Sequence, residues 1–272
     1  MTIRPEPPER ATEPPPSSRE AVQRWRLVVR RDTPPGDIPQ RGQQADWEAA
    51  ITSTGLPVAG LDLPRPKLRL AIAAPLAGGI PGEAELVDLW LVERLPRWRV
   101  REALRDGLPV GHSLVDLYDV WLGEPPLPGR VVASVYRAEL GPEAQIEALA
   151  AAASGLLAAA ALPRERRKGD TAVRYDLRPF LVSIEVGRAP SGAGLLRMTL
   201  RHDPAKGVGR PDETLAALGE AMGRPPLRPL ALVREALVLA PLPSPEPPAS
   251  RPSRRLPLPR PPRTARAPGG PM

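Results

Sequence analysis

The 272-residue chain has no cysteine. A disulfide framework, a cysteine-ligated zinc site and a thiolate nucleophile are thereby excluded. An iron–sulfur cluster of its own is excluded too, since such clusters are normally held by several thiolates. Only two histidines exist, His112 and His202, far apart in sequence, so histidine-based metal or triad chemistry has little material. Both are expected at the surface. Aromatic residues make up 3% of the chain, with Phe180 the single phenylalanine. With no RNP1-like run, base stacking on two central strands, as in an RNA-recognition domain, is not expected. Long apolar runs are also missing. The longest, Ala148 to Leu162, is alanine-rich, is broken by Ser154 and Gly155, and is too short to span a bilayer. The N-terminus lacks the apolar stretch of a signal peptide. A cytoplasmic protein without membrane contact is the expectation.

Proline is abundant and unevenly placed. Of forty prolines, six fall in residues 1–23 and twelve in residues 241–272. Neither end has apolar periodicity, and both are expected to be disordered. The net charge is +7, of which the last 32 residues carry +5 and the first 23 carry −1, leaving a weakly basic body. Such a body does not point to nucleic acid. The arginine-rich tail is either a solvated extension or a loose, salt-sensitive contact for RNA or an acidic partner.

Between the ends, one pattern occurs twice. Trp25, Leu27 and Val29 alternate with Arg24, Arg26 and Arg30, as in a half-buried strand. A helix over Asp46–Thr54, strands over Leu68–Ala74 and Leu86–Val92, a helix over Arg97–Asp106 and a strand over Ser113–Leu122 follow. The second round runs through a strand over Val131–Leu140, a helix from Pro142 to about Ala161, strands over Phe180–Val186 and Leu195–Leu200, a helix over Pro211–Met222 and a strand over Ala231–Leu239. Arg164–Lys168 reads as a basic loop. Both rounds have the order β-α-β-β-α-β, that of the ferredoxin-like unit. The predicted fold is α+β, with two tandem ferredoxin-like (βαββαβ) units at residues 24–128 and 129–240, each with its own sheet, between disordered Pro/Arg-rich termini at residues 1–23 and 241–272. All five tryptophans fall in the first unit, and Trp25 and Trp98 are expected on apolar faces.

Gly60 to Lys67 is a stiff basic loop. Gly60 permits an unusual backbone angle, while Pro64 and Pro66 hold their neighbours extended. Arg65 and Lys67 are then either two solvated charges or a fixed basic pair suited to a carboxylate or phosphate. Asp176 and Arg178, two apart on an expected strand, would share a face and form a structural ion pair or hold a polar ligand.

These segments resemble an uncharacterised bacterial family whose members are fused to, or encoded beside, radical-SAM proteins. Relatives carry Gly-Phe-Asn-Pro-Arg-Pro-Lys where this chain has Gly60-Leu61-Asp62-Leu63-Pro64-Arg65-Pro66-Lys67. Pro75-Leu76, Gly78 or Gly79, Glu85 and Asp88 are similar to the family's Pro-Leu…Gly…Glu-x-x-Asp. Asp176-Leu177-Arg178-Pro179 is similar to its Asp-Ile-Arg-Pro. The resemblance covers roughly residues 24–240. It implies a radical-SAM protein as partner, one that carries an iron–sulfur cluster and S-adenosylmethionine, with no cofactor bound by this chain. It also implies a ligand- or partner-binding set of Gly60, Asp62, Arg65, Lys67, Glu85, Asp88, Asp176 and Arg178. The chain departs from the pattern in three places. Ile38 to Gly42 lacks the family's Ser-His-Leu-Asp, Leu61 replaces the loop aromatic, and Trp90 stands where a glutamate is expected. These departures favour a non-catalytic accessory or substrate-presenting role over catalysis. The competing reading is an RNA-associated module in tRNA or ribosome metabolism.

Overall fold

Alternating apolar residues draw Gln23–Arg31 into the first strand, β1, and bury Trp25, Leu27 and Val29. The computed structural model describes residues 19–32, 43–168 and 171–242. The expected disorder of residues 1–18 and 243–272 and the stretch Ile38 to Gly42 lie outside the described residues. The described residues up to Ala240 belong to one unit. The end of the expected N-terminal segment is tied to this unit: the Val22 amide donates to the Leu91 carbonyl, and the Arg19 amide to Asp62.

After β1 come α1 (Gln43–Ser53), β2 (Leu70–Ile72), β3 (Gly82–Leu91), α2 (Arg97–Leu104) and β4 (His112–Asp119). Their strands lie in the order β2-β3-β1-β4, with every neighbour antiparallel. A connecting segment with a short helix, α3 (Leu127–Arg130), leads to β5 (Val131–Leu140), α4 (Ile146–Ala158) and a hairpin of β6 (Pro163–Lys168) and β7 (Thr171–Asp176). Then follow β8 (Leu181–Arg188), β9 (Gly194–Asp203), the two-residue β10 (Gly207–Val208), α5 (Pro211–Ala221) and β11 (Ala231–Leu239). Here the order is β8-β9-β5-β11, again antiparallel.

The expectation of two separate sheets is corrected. β2 is three residues long and pairs only with residues 87–89 of β3. The Gly82 end of β3 is left open, and β11 joins it there by one parallel bridge, Arg234 to Gly82. The result is a single nine-stranded sheet in a mixed α+β fold with, among the described residues, five helices. No helix among the described residues is long and apolar enough to cross a membrane.

Each half has its own core. Leu27, Leu89, Leu91, Val100 and Leu104 fill the first, and Ala138, Leu149, Leu196, Met198, Leu200 and Leu218 the second. A third cluster lies under the connecting segment, where Leu127 is fully buried against Ala73, Ala74, Leu86 and Val131. Burying one such leucine contributes about 1.5–3 kcal/mol.

Three further expectations change. Arg164–Lys168 is not a loop but part of β6, because backbone pairing with β7 forms without apolar alternation. α4 starts at Ile146, after a turn at Gly141–Ala144 that contains Pro142. Trp98 is 66% exposed, because Val100 and Leu104 form the buried stripe of α2.

Candidate functional site

The seam between the halves begins with an irregularity in β1. A register shift between Val29 and Arg31 brings Arg31 opposite Gly82 of β3. Bulges of this kind re-aim a side chain at the end of a ladder. Here the residue following the buried Trp25, Leu27, Val29 series is an arginine, and it is 6% exposed.

Beside it, Glu85 of β3 and Arg234 of β11 form a buried ion pair across the seam. Arg234 Nε donates to Glu85 Oε1 at 2.9 Å, and Nη2 donates to Oε2. The same guanidinium donates to the carbonyls of Ala74 at 3.0 Å and Pro75 at 3.2 Å. Burial opposes the Arg234 charge, but Glu85 holds its pKa above the ordinary arginine value. Gly82 makes the pair possible, because a Cβ there would overlap the Glu85 carboxylate.

Arg31 has no comparable partner. Among the described residues no carboxylate lies within ion-pair distance, and its one hydrogen bond is a long 3.4 Å contact to the Leu76 carbonyl. Burial lowers its pKa; Glu85 partly offsets this, and the positive Arg234 adds to the lowering. Arginine nevertheless stays protonated in proteins, so Arg31 is a buried cation with no carboxylate in ion-pair contact among the described residues.

Arg31 lines two cavities. The first, of about 460 Å³, is walled by Arg30, Gly79, Glu83, Arg137 and Glu139 and by the start of β11. The second, of about 380 Å³, is lined mainly by α1 and Leu108–His112. There His112 packs edge-on against Trp47, with ring centroids 5.4 Å apart. Burial pulls the His112 pKa down; the Val110 carbonyl works against this and nearby Arg31 with it. In the first cavity Arg137 donates to Glu83 at 2.8 Å and to Glu235 at 2.9 Å. Arg30, Asp32 and Glu139 have no side-chain hydrogen bond or ion pair recorded among the described residues.

The residues singled out from sequence are dispersed. Gly60 adopts φ +91°, and the Lys67 amide closes the loop onto the Gly60 carbonyl at 3.1 Å. Arg65 and Lys67 are exposed on it. Asp62 accepts the Arg19 amide at 2.9 Å, which lowers its pKa. Glu85 belongs to the seam. Asp88 is fully buried, accepting from Arg24 at 3.0 and 2.5 Å and from Arg26 at 2.7 and 3.0 Å. Arg26 continues to Glu124 at 2.8 Å, and Arg130 also pairs with Glu124, so this network fastens the connecting segment. Trp90 lies between Arg24 and Arg69, whose guanidinium carbons are 4.6 and 4.9 Å from its ring. An aromatic face thus receives two cations where the resemblance calls for a carboxylate.

Asp176 and Arg178 do not share a strand face. Asp176 ends β7, and Arg178 opens a single 3-10 turn. Asp176 Oδ1 accepts the amides of Leu162 and Arg178, while the Arg178 guanidinium donates to the carbonyls of Leu157 and Leu181. It therefore caps the last turn of α4. His202 lies in β9, not at a turn on the surface. Its Nε2 is 2.8 Å from Ser134 Oγ, and burial, aided by Arg234, lowers its pKa to about 4. Ser134 is fully buried and lines neither seam cavity, so this pair is a structural hydrogen bond. No cluster of three or more metal-ligating side chains occurs among the described residues.

A model of a family described as an uncharacterized protein conserved in bacteria (DUF2344) matches residues 64–209, more than half of the chain. The chain belongs to that family. The DUF2344 match takes in Arg65, Lys67, Glu85, Asp88, Arg137, Glu139, Asp176 and Arg178, and leaves out Arg31 and Arg234. A search of curated proteins returns no match. Among solved structures, the chain is similar to a chain in the crystal structure of a Cbf5-Nop10-Gar1 complex, at 12% identity and a TM-score of 0.42. The likeness covers 78% of this chain and 49% of that one, so this chain spans about half its length. So distant a likeness says nothing about activity.

Sequence reasoning passed over Arg31, Arg137, Glu139 and Arg234. One signal was available for Arg31: it follows the inward series of β1 and interrupts it with a charge.

Proposed function

We propose that the protein is a non-catalytic binding protein that receives an anionic group in the seam cleft and acts in the cytoplasm beside a radical-SAM enzyme. The observation that carries the binding reading is Arg31, a residue more than nine-tenths buried, with no carboxylate within ion-pair distance among the described residues, lining both cavities. A buried cation lacking its counter-ion weakens the fold unless a ligand supplies one. Guanidinium geometry suits a carboxylate or a phosphate. The arginines of the cleft stay protonated and so serve to bind rather than to exchange protons. On the same reading, residues 24–128 and 129–240 are two ferredoxin-like units fused edge to edge. The paired orders β2-β3-β1-β4 and β8-β9-β5-β11 support this, with the β6–β7 hairpin inserted in the second. The radical-SAM partnership rests on the motif resemblance.

The test is calorimetric titration of the full chain with hexanoate and with inorganic phosphate, before and after Arg31→Met. The variant is expected to unfold at the same or a higher temperature and to lose at least tenfold in anion affinity. Unchanged affinity, or a variant that fails to fold, would overturn the reading. Co-purification from the native host tests the partnership separately: a radical-SAM enzyme supports it, whereas recovered RNA favours the RNA-associated alternative.

A further inference from the structure

The seam cleft holds unpaired charge of both signs. Arg30 and Arg31 stand on one flank, at the end of β1 with Asp32 next to them, so this flank carries two cations against one carboxylate. Glu139 stands on β5, on the other, half-buried and with no cation partner recorded among the described residues. The strands run β5-β11-β3-β1, so the flanks are three strand spacings apart, about 14 Å. The guanidinium of nearby Arg137 is turned to Glu83 and Glu235 and makes no bond to Glu139. Between the flanks the wall is apolar along Leu230–Val233 and open at Gly79 and Gly82. A simple anion would satisfy Arg31 and leave Glu139 unanswered at the far end.

From this arrangement we infer that the cleft takes an elongated zwitterion, with its anionic end on Arg31 and Arg30, its ammonium end on Glu139, and a short apolar stem along the start of β11. An amino acid with a terminal amine, or a peptide end of that kind, has this chemistry. The inference rests on the anion site proposed above and adds the cationic end and the spacing.

Three probes with five-carbon stems separate the contributions: 6-aminohexanoate, hexanoate and pentylamine, each titrated calorimetrically into the full chain. The zwitterion is expected to bind at least tenfold more tightly than hexanoate, and pentylamine more weakly than either. Glu139→Gln should abolish the advantage of 6-aminohexanoate while leaving hexanoate affinity unchanged. Equal binding of hexanoate and 6-aminohexanoate, or a zwitterion preference that survives Glu139→Gln, would overturn the zwitterion assignment and leave the anion site standing. If neither acid binds, the zwitterion reading falls, and if inorganic phosphate does not bind either, the anion site falls with it. A circular dichroism spectrum and melting curve for Glu139→Gln show whether the variant is folded. If it is not, Glu139→Asp, which withdraws the charge from the stem, should still reduce the zwitterion preference.

Discussion

Replacing Glu85 with glutamine should be among the most damaging single changes in the protein. The substitution keeps the shape and one carbonyl acceptor but removes the counter-ion of Arg234, which is 1% exposed. The carbonyls of Ala74 and Pro75, the Tyr136 hydroxyl and the new amide oxygen would remain as partners, and none carries a charge. Breaking a buried pair by removing one partner typically costs about 3–5 kcal/mol. In a body of this size 1 kcal/mol moves the melting temperature by about 2–4 °C, so the expected fall is about 6–20 °C. Urea unfolding of wild type, Glu85→Gln, Arg234→Met and the double variant Glu85→Leu, Arg234→Met would measure it. Each single change should be costly. The double change should recover most of the loss, because an apolar pair of similar volume carries no stranded charge. The exposed Glu165–Arg174 pair serves as control and should contribute about 0–1 kcal/mol. A Glu85→Gln variant within about 1 kcal/mol of wild type would refute the claim that this pair holds the seam.

His202 gives the fold a pH dependence. Its folded pKa of about 4 lies below the 6.5 of an unfolded histidine, so its contribution is complete above pH 6.5 and is lost as the pH falls from 6.5 towards 4. The loss is at most about 3 kcal/mol, and His202→Asn should flatten that part of the profile in urea melts from pH 7.5 to 4.5; parallel wild-type and variant profiles would sink the claim. Gly60→Ala should lower the unfolding free energy from urea melts by more than about 1 kcal/mol, since φ is +91° and a Cβ would overlap the Lys67 carbonyl. The double change Arg65→Ala, Lys67→Ala on the same loop should leave the urea midpoint unchanged and, if the proposed radical-SAM partnership holds, weaken association with that enzyme; unaltered association would make the loop a mere connection.

Where apolar residues alternate, local sequence was sufficient to locate structure. β11 spans Ala231–Leu239 as its pattern predicts, and the first half follows the predicted order of elements, whereas the second carries β6, β7 and β10 in addition. β6 was illegible because Arg164-Glu165-Arg166-Arg167-Lys168 offers no apolar alternation, and its pairing depends on β7. The joining of the halves was illegible because it depends on how short β2 is, not on any feature of β11. Glu85 and Asp88 stand out in sequence as charges within apolar strands, which suits ligand groups and internal ion pairs equally. Arg234 lies 149 positions beyond Glu85, and Arg24 lies 64 before Asp88, so neither pairing follows from local spacing.

That separation has a consequence for synthesis. When the ribosome has completed β3 at Leu91, the strand that will cover its Gly82 end does not begin until Ala231, 140 positions further on. Until then the nascent first half presents an open backbone edge and a carboxylate whose cation does not yet exist. Open edges are templates for pairing with the wrong chain, and contacts between distant residues form late. The first half should therefore be most vulnerable to self-association during translation. A fragment ending before β5 should be far more prone to aggregate than the full chain, although it contains every residue of its own core.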